Sequence, residues 1–430
     1  MGVRNIFHTG LLDALGKDYH IIMYSPYKCG DHERDGIDPN SVKRGKHIRF
    51  LYSILYTANY YALWFKHKPR TLNKYINRDL KEKPIKYVLY KVLSWCVLKI
   101  RKNKQFDFIR DIAYRNRANI FTEIDALFVT STDCQEDQHL MYGAKKAGLP
   151  VIVLVHSWDN LPARGLLPVI PDALLVWNNI MKQQAITLHG MSCSDVYIIG
   201  VPQYQYYKKL GLELDESQFL RKYCGKSIKN KVVLYTCSAT RVFPDEELFI
   251  DELIEVMYAL PNIQLVIRLH PEERKNTYQE KYADSPNIIL SIPDDSFRAK
   301  RTNSVGEVQS IDEFVMLMKY SAVVINMGST ITLDATLFDT PAICPMFNIN
   351  HDPESWNAAM KWYDSSHLEA IVNSNAVDFP LNFKELLDCV RIAINSPEYK
   401  SSERENLRKN MLPDIDSAKI ISDIINKVTC

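Results

Sequence analysis

The run with the most usable chemistry is His156-Ser157-Trp158-Asp159-Asn160-Leu161-Pro162-Ala163-Arg164-Gly165. It sets an imidazole, a carboxylate, an amide, an indole and a guanidinium within ten residues. Asp159 or His156 can act as a general base toward a hydroxyl. Trp158 offers a flat face with a polar edge for a saccharide, and Ser157, Asn160 and Arg164 supply hydrogen bonds to hold it. A second loop, Ser131-Thr132-Asp133, provides Asp133 as a rival base.

A different chemistry is written further along. His270-Pro271 follows the apolar run IQLVIRL, and a histidine there can donate to a phosphate oxygen. Gly328-Ser329-Thr330 follows AVVINM and precedes a helical pattern, so backbone N–H groups and hydroxyls can meet an anion. Asp334 stands one turn on, placed for a ribose hydroxyl. Ser238, Thr240 and Arg241 follow VVLYTC and can close the same phosphate pocket, with Arg241 as a clamp. Asp294-Asp295 has the composition of a turn rather than a metal site.

These loops share one property: each follows a short, apolar, β-branched run. The candidate strands start at His20, Ala126, Val151, Ala173 and Val196, then at Val232, Ile263, Asn287, Ala322 and Pro341. Helical patterns lie between them, and Gly148 and Gly190 fall where helices end. Strands apolar on both faces, alternating with helices, predict parallel sheets built from right-handed βαβ units. In such sheets ligands bind beyond the carboxyl ends of the strands. Two sets of five predict an α/β chain with two Rossmann-like doubly wound domains facing across a cleft. The expected division is residues 1–210 and 211–430, with a polar link near Tyr206–Asp215 and a last helix, from Ile415, that can cross back.

The totals agree with this. A chain of 430 residues, 46% hydrophobic and 24% charged, is too long for one compact core and is not a disordered polymer. The nine cysteines form no CxxC and no zinc-spaced cluster, so reduced thiols and no structural metal are expected. MGVRNIFHTG has no apolar signal core, and no run is apolar enough to span a bilayer. A cytoplasmic protein is expected, peripheral at the inner face of the cytoplasmic membrane.

Charge is unevenly spread. Between Val42 and Gln105 seventeen Lys and Arg stand against two acids, so the rest of a chain of net charge +2 carries −13. This basic stretch lies within a helical insertion at about 42–120. It interleaves aromatics, and FLYSILYTANYYALWFKHK suits a helix lying on anionic lipid headgroups. No nucleic-acid motif accompanies it.

At these motifs the chain resembles the glycosyltransferase-B (GT-B) superfamily. It is most similar to bacterial surface-polysaccharide proteins with an HSWDN-type loop, then PDxxLVWN, then HG…IIGxPQ; here these read HSWDNLPARG, PDALLVWN and HG with IIGVPQYQYY. The likeness runs from about Val3 to near Ile425 and is most specific from Gln135 to Tyr207. The RLHP and GST elements also look like the HP and Ser/Thr motifs of sialyl-, Kdo- and CDP-glycerol-type transferases. There such motifs hold donor phosphates, which carries over to His270, Pro271, Ser329 and Thr330. The resemblance implies a metal-independent, inverting glycosyltransferase with a nucleotide sugar as donor and a lipid-linked or oligosaccharide acceptor. The alternatives are a CDP-glycerol-type polyol-phosphate transferase, a nucleotide-sugar epimerase of the same fold and a non-catalytic scaffold of a polysaccharide assembly complex.

Overall fold

The computed structural model describes residues 9–22, 46–100, 119–122, 124–224, 227, 229–239, 243, 245–270, 275–282, 285, 288–293, 308–349 and 359–429. Two parallel sheets organise them. The first contains β1 (Leu127–Val129), β2 (Val151–Leu154), β3 (Ala173–Val176) and β4 (Val196–Ile198), in that spatial order. Ile152 pairs with Ala173, and Leu174 with Val196. Every residue of β2 and β3 is buried, as strands covered on both faces require.

A sheet that advances in one direction puts its right-handed crossovers on a single face. Val151, Val153, Leu174 and Val176 meet those crossover helices through Leu140, Met141, Met181 and Ala185. Something else must cover Ile152, Leu154, Ala173 and Leu175. Leu11 and Leu15 of the short helix Leu11–Leu15 do so, with Ile421 and Ile424 of the last helix, Ser417–Thr429. The last helix is fixed by Ser417 Oγ donating to Ile199 O (2.6 Å) and by the Tyr19 hydroxyl donating to Asn426 Oδ1 (2.7 Å). The strand expected from His20 is not seen: residues 20–22 are not strand, and 23–25 lie outside the described residues.

The second sheet runs β7 (Ile288–Ser291), β6 (Ile263–Arg268), β5 (Lys231–Thr236), β8 (Val323–Asn326), β9 (Ala342–Ile343). It is doubly wound. Its order reverses between β5 and β8, so the loops leaving those strands diverge and open a crevice. Residues 206–215, expected as a polar link, are mostly helix instead. Helix Pro202–Glu213 lies between the sheets and sets Tyr207 against Phe314, 5.8 Å between rings. Its polar surface residues hid an apolar stripe.

Three helices, Lys46–His67, Arg70–Glu82 and Pro84–Ile100, form the basic insertion. The aromatic stretch expected to lie on lipid is largely interior. Tyr52 and Tyr61 are buried, while Tyr60, Trp64 and Phe65 pack onto a core of Ala58, Leu63, Leu72, Ile76 and Val97. Tyr61 stacks on Tyr90 at 5.4 Å and donates to Asp79 Oδ2 at 2.7 Å. Burial alone would raise the Asp79 carboxyl, but hydrogen bonds from Lys86 and Tyr61 outweigh it and hold it below its ordinary value.

Candidate functional site

Gly165 ties the insertion to the first candidate loop. Its φ is +85°, and an added Cβ would stand 2.9 Å from the Tyr60 backbone nitrogen. Only glycine allows this approach, which seats the 156–165 loop against helix Lys46–His67.

His156 leaves the end of β2. Its Nδ1 lies 3.1 Å from Thr130 O, just past β1. Asn160 Nδ2 lies further off, at 3.5 Å from the same nitrogen; the nearer carbonyl only accepts, so in that bond Nδ1 carries the proton and Nε2 keeps a lone pair. Burial lowers the imidazole pKa, against the upward pull of Asp133 and Asp159, so the ring is neutral at neutral pH. The Ser131 hydroxyl donates to Asp133 (2.9 Å), and that of Ser157 donates to Asp159. Arg164 spans the two carboxylates, 3.4 Å from Asp133 and 3.9 Å from Asp159. Buried Asn160 sits beneath, its Nδ2 3.5 Å from Thr132 Oγ1. Thus the loops after β1 and β2 bring Asp133, His156, Asp159 and Arg164 together. Asp137, which no motif marked, lies on the helix Gln135–Lys146 that follows β1. Burial first, then Glu136 and Asp133, push its carboxyl up to about 7.

On the second sheet the loop after β8 is shaped by Asn326. Its Oδ1 accepts from Ser329 N (2.9 Å), Ser329 Oγ (3.3 Å) and Thr332 Oγ1 (3.1 Å). Ser329 and Thr330 remain half-buried beside Gly328. Asp334 is only 5% exposed, which leaves it little surface to offer a ribose. The Ser238 backbone N–H is spent on Glu246 Oε1 (2.7 Å), the carboxylate that also accepts from Tyr235. His270 is half-buried directly beyond β6. Pro271, Thr240, Arg241 and the Asp294-Asp295 pair lie outside the described residues. Among the described residues no three His, Cys, Asp or Glu side chains are grouped to hold a metal ion.

Three unmarked residues connect the two loops. Trp158 meets the His367 ring edge-on at 5.4 Å, and His367 lies 6.5 Å from Trp362. Trp362 Nε1 donates to Gly328 O at 3.1 Å. Lys74, from the insertion, sets its ammonium 3.2 Å from the Trp362 ring centroid. Burial brings the Lys74 pKa down to about 7. Beside them lies a cavity of about 470 Å³, lined by Trp158, Met181, Gln184, His367, Arg70 and Met411 among others. Asp159, His156 and Asp133 do not line it, and Trp158, expected to offer a saccharide its flat face, is only 4% exposed and packs in the core.

His367 makes the site acid-sensitive. Burial lowers its pKa from 6.5 to about 4, with Lys74 and Arg164 adding to that and Asp159 opposing it. Above pH 6.5 both folded and unfolded states are neutral and nothing is lost. As pH falls from there to about 4, only the unfolded chain takes up the proton, so stability declines across that window. The loss is on the order of 3 kcal/mol. Urea unfolding of His367→Gln at pH 7 and pH 4.5 should show a shallower decline than wild type. An equal decline in both proteins would refute this account of the ring.

The chain matches no family model and no curated protein. Among solved structures it is similar to the UDP-GlcNAc 2-epimerase from Methanocaldococcus jannaschii, at 16% identity and a TM-score of 0.48, over 77% of this chain and 80% of that one. It is similar also to UDP-GlcNAc 2-epimerase from Neisseria meningitidis bound to UDP-GlcNAc, at 15% identity and a TM-score of 0.49, over 77% and 81%. A third is the wall teichoic acid polymerase TagF, at 10% identity and a TM-score of 0.41, over 76% of this chain and 97% of that one. Likeness at this level speaks to neither substrate nor activity.

Proposed function

We propose that the chain is a glycosyltransferase that moves a sugar from a nucleotide-sugar donor to a saccharide hydroxyl. The observation that carries this reading is one juxtaposition. A neutral imidazole whose Nε2 keeps its lone pair sits beside two carboxylates bridged by Arg164, and the Trp158–His367–Trp362 contacts join that cluster to the Gly328 loop of the other sheet. In this reading residues 1–210 hold the acceptor and residues 211–430 the donor.

His156 Nε2 takes the proton of the acceptor hydroxyl as its oxygen attacks the anomeric carbon. The bond from that carbon to the phosphate oxygen breaks, and the nucleoside diphosphate leaves with the electron pair. Charge develops on the leaving phosphate, where the Gly328–Thr330 backbone, His270 and Lys74 can meet it. The likeness of HSWDNLPARG and its neighbours to surface-polysaccharide proteins supports a saccharide acceptor.

Thermal unfolding with CMP, CDP, UDP, GDP and dTDP tests the donor site. One nucleotide at a hundredfold its Kd should add about 2.7 kcal/mol to the domain that binds it, and His270→Ala should abolish the gain. A folded sample that responds to none of the five refutes the donor site.

A further inference from the structure

Helix Pro84–Ile100 is apolar on two opposite faces. Tyr87, Tyr90, Leu93, Val97 and Leu98 turn inward onto the core of the insertion. Ile85, Val88, Leu89, Val92 and Trp95 recur at spacings of three and four, so they form one stripe on the other side. Each is between 53% and 85% exposed. Large apolar groups in a continuous stripe are not ordinary surface scatter.

The charge around the stripe identifies its occupant. Lys81, Lys83, Lys91 and Lys99 are exposed along and before it, and Lys99 stands 5.4 Å from the Trp95 ring. From 81 to 100 the single acid is Glu82. Asp79, just before, is buried and spent on Lys86 and Tyr61. A second copy of this chain would bring lysine against lysine. An anionic bilayer instead accepts both parts, the stripe among acyl chains and the lysines among phosphates.

We infer that helix Pro84–Ile100 is a lipid-docking surface, lying flat on anionic membrane with Ile85, Val88, Leu89, Val92 and Trp95 immersed. At roughly 1.5 Å per residue it lies along the interface, and among the described residues no helix is long and apolar enough to cross a membrane. Trp95, with its polar nitrogen, suits that depth. The surface stands on different observations from the transfer reaction, and either can fail alone.

Flotation of the full chain with phosphatidylcholine vesicles, and with vesicles of phosphatidylcholine and phosphatidylglycerol in equal parts, tests this. Wild type should float with the anionic vesicles only, and less as salt rises. The pair Val88→Asp and Val92→Asp should cut the floated fraction by about tenfold without changing the melting curve, since both side chains already face solvent. Lys91→Glu with Lys99→Glu should abolish the preference for anionic lipid. Wild type that stays in the aqueous phase with both vesicles overturns the inference, as does a Val88→Asp, Val92→Asp pair that floats like wild type. A dimer in sedimentation velocity that the same pair converts to monomer overturns it in favour of self-association.

Discussion

Replacing His156 with Asn should lower kcat by ~10²–10⁴-fold while leaving the fold intact. The variant separates two roles of one ring. Asn presents an N–H where the imidazole presents Nδ1–H, so the bond to Thr130 O survives. It has nothing that corresponds to the Nε2 lone pair. His156→Ala should fall as far in rate and also lose the bond, at about 1 kcal/mol of stability. The readout is transfer from whichever nucleotide sugar carries the base found in the stabilisation series. The pH profile supplies a second readout. Wild-type rate should rise as the imidazole loses its proton, with a midpoint below 6.5 because burial lowers the pKa. Asp133 pulls the other way, so Asp133→Asn should move the midpoint further down. His156→Asn should show no such limb. A His156→Asn protein with wild-type kcat would remove the base from the mechanism, and Asp159 or Asp133 would take its place.

What could be read from sequence, and what could not, divides along a physical line. Strands such as VIVLVH and ALLVW announced themselves because a strand buried on both faces has no room for polar residues. The carboxyl-end rule points to His156, Asp159, Asp133 and Gly328, since those residues lie next to their strands in the chain. His367, Trp362 and Lys74 are far in sequence from the loops they join, and no local pattern marks a residue that matters only through a tertiary contact. Lys74 left one faint trace. It shares the buried face of its helix with Thr71, and a lysine on such a face needs a reason. The insertion is ambiguous for a related cause. FLYSILYTANYYALWFKHK and PIKYVLYKVLSWCVLKI are both aromatic and basic, and composition cannot say which one the fold covers. Only the packing of Tyr61 on Tyr90 decides that the first goes inside and the second keeps a face outside.

Gly328→Ala should be the most damaging single-methyl change in the second domain. Two costs add. The residue sits at φ +65°, where a side chain costs about 1–2 kcal/mol. The new Cβ would also stand 2.5 Å from Tyr363 Cε1 and 3.1 Å from its Cζ. Tyr363 cannot retreat: it is buried, with its ring edge-on to Phe379 at 5.3 Å. The loop cannot retreat either, because Trp362 Nε1 holds Gly328 O and Asn326 holds Ser329. Overpacking of this kind costs about 1–3 kcal/mol, so the combined loss should be about 2–5 kcal/mol. In calorimetry it should appear in the transition of the second domain, with the first little changed. Ser329→Ala is the control. It keeps the backbone and removes a hydroxyl that is 3.3 Å from Asn326 and accepts from Ile331 N, so it should cost about 1 kcal/mol. Nucleotide stabilisation should vanish in Gly328→Ala, since the clash can be relieved only by moving the backbone assigned to the phosphate. A Gly328→Ala protein that melts like wild type and still responds to nucleotide would mean that the loop is not clamped between Asn326 and Trp362, and the donor phosphate would have to be sought at His270 instead.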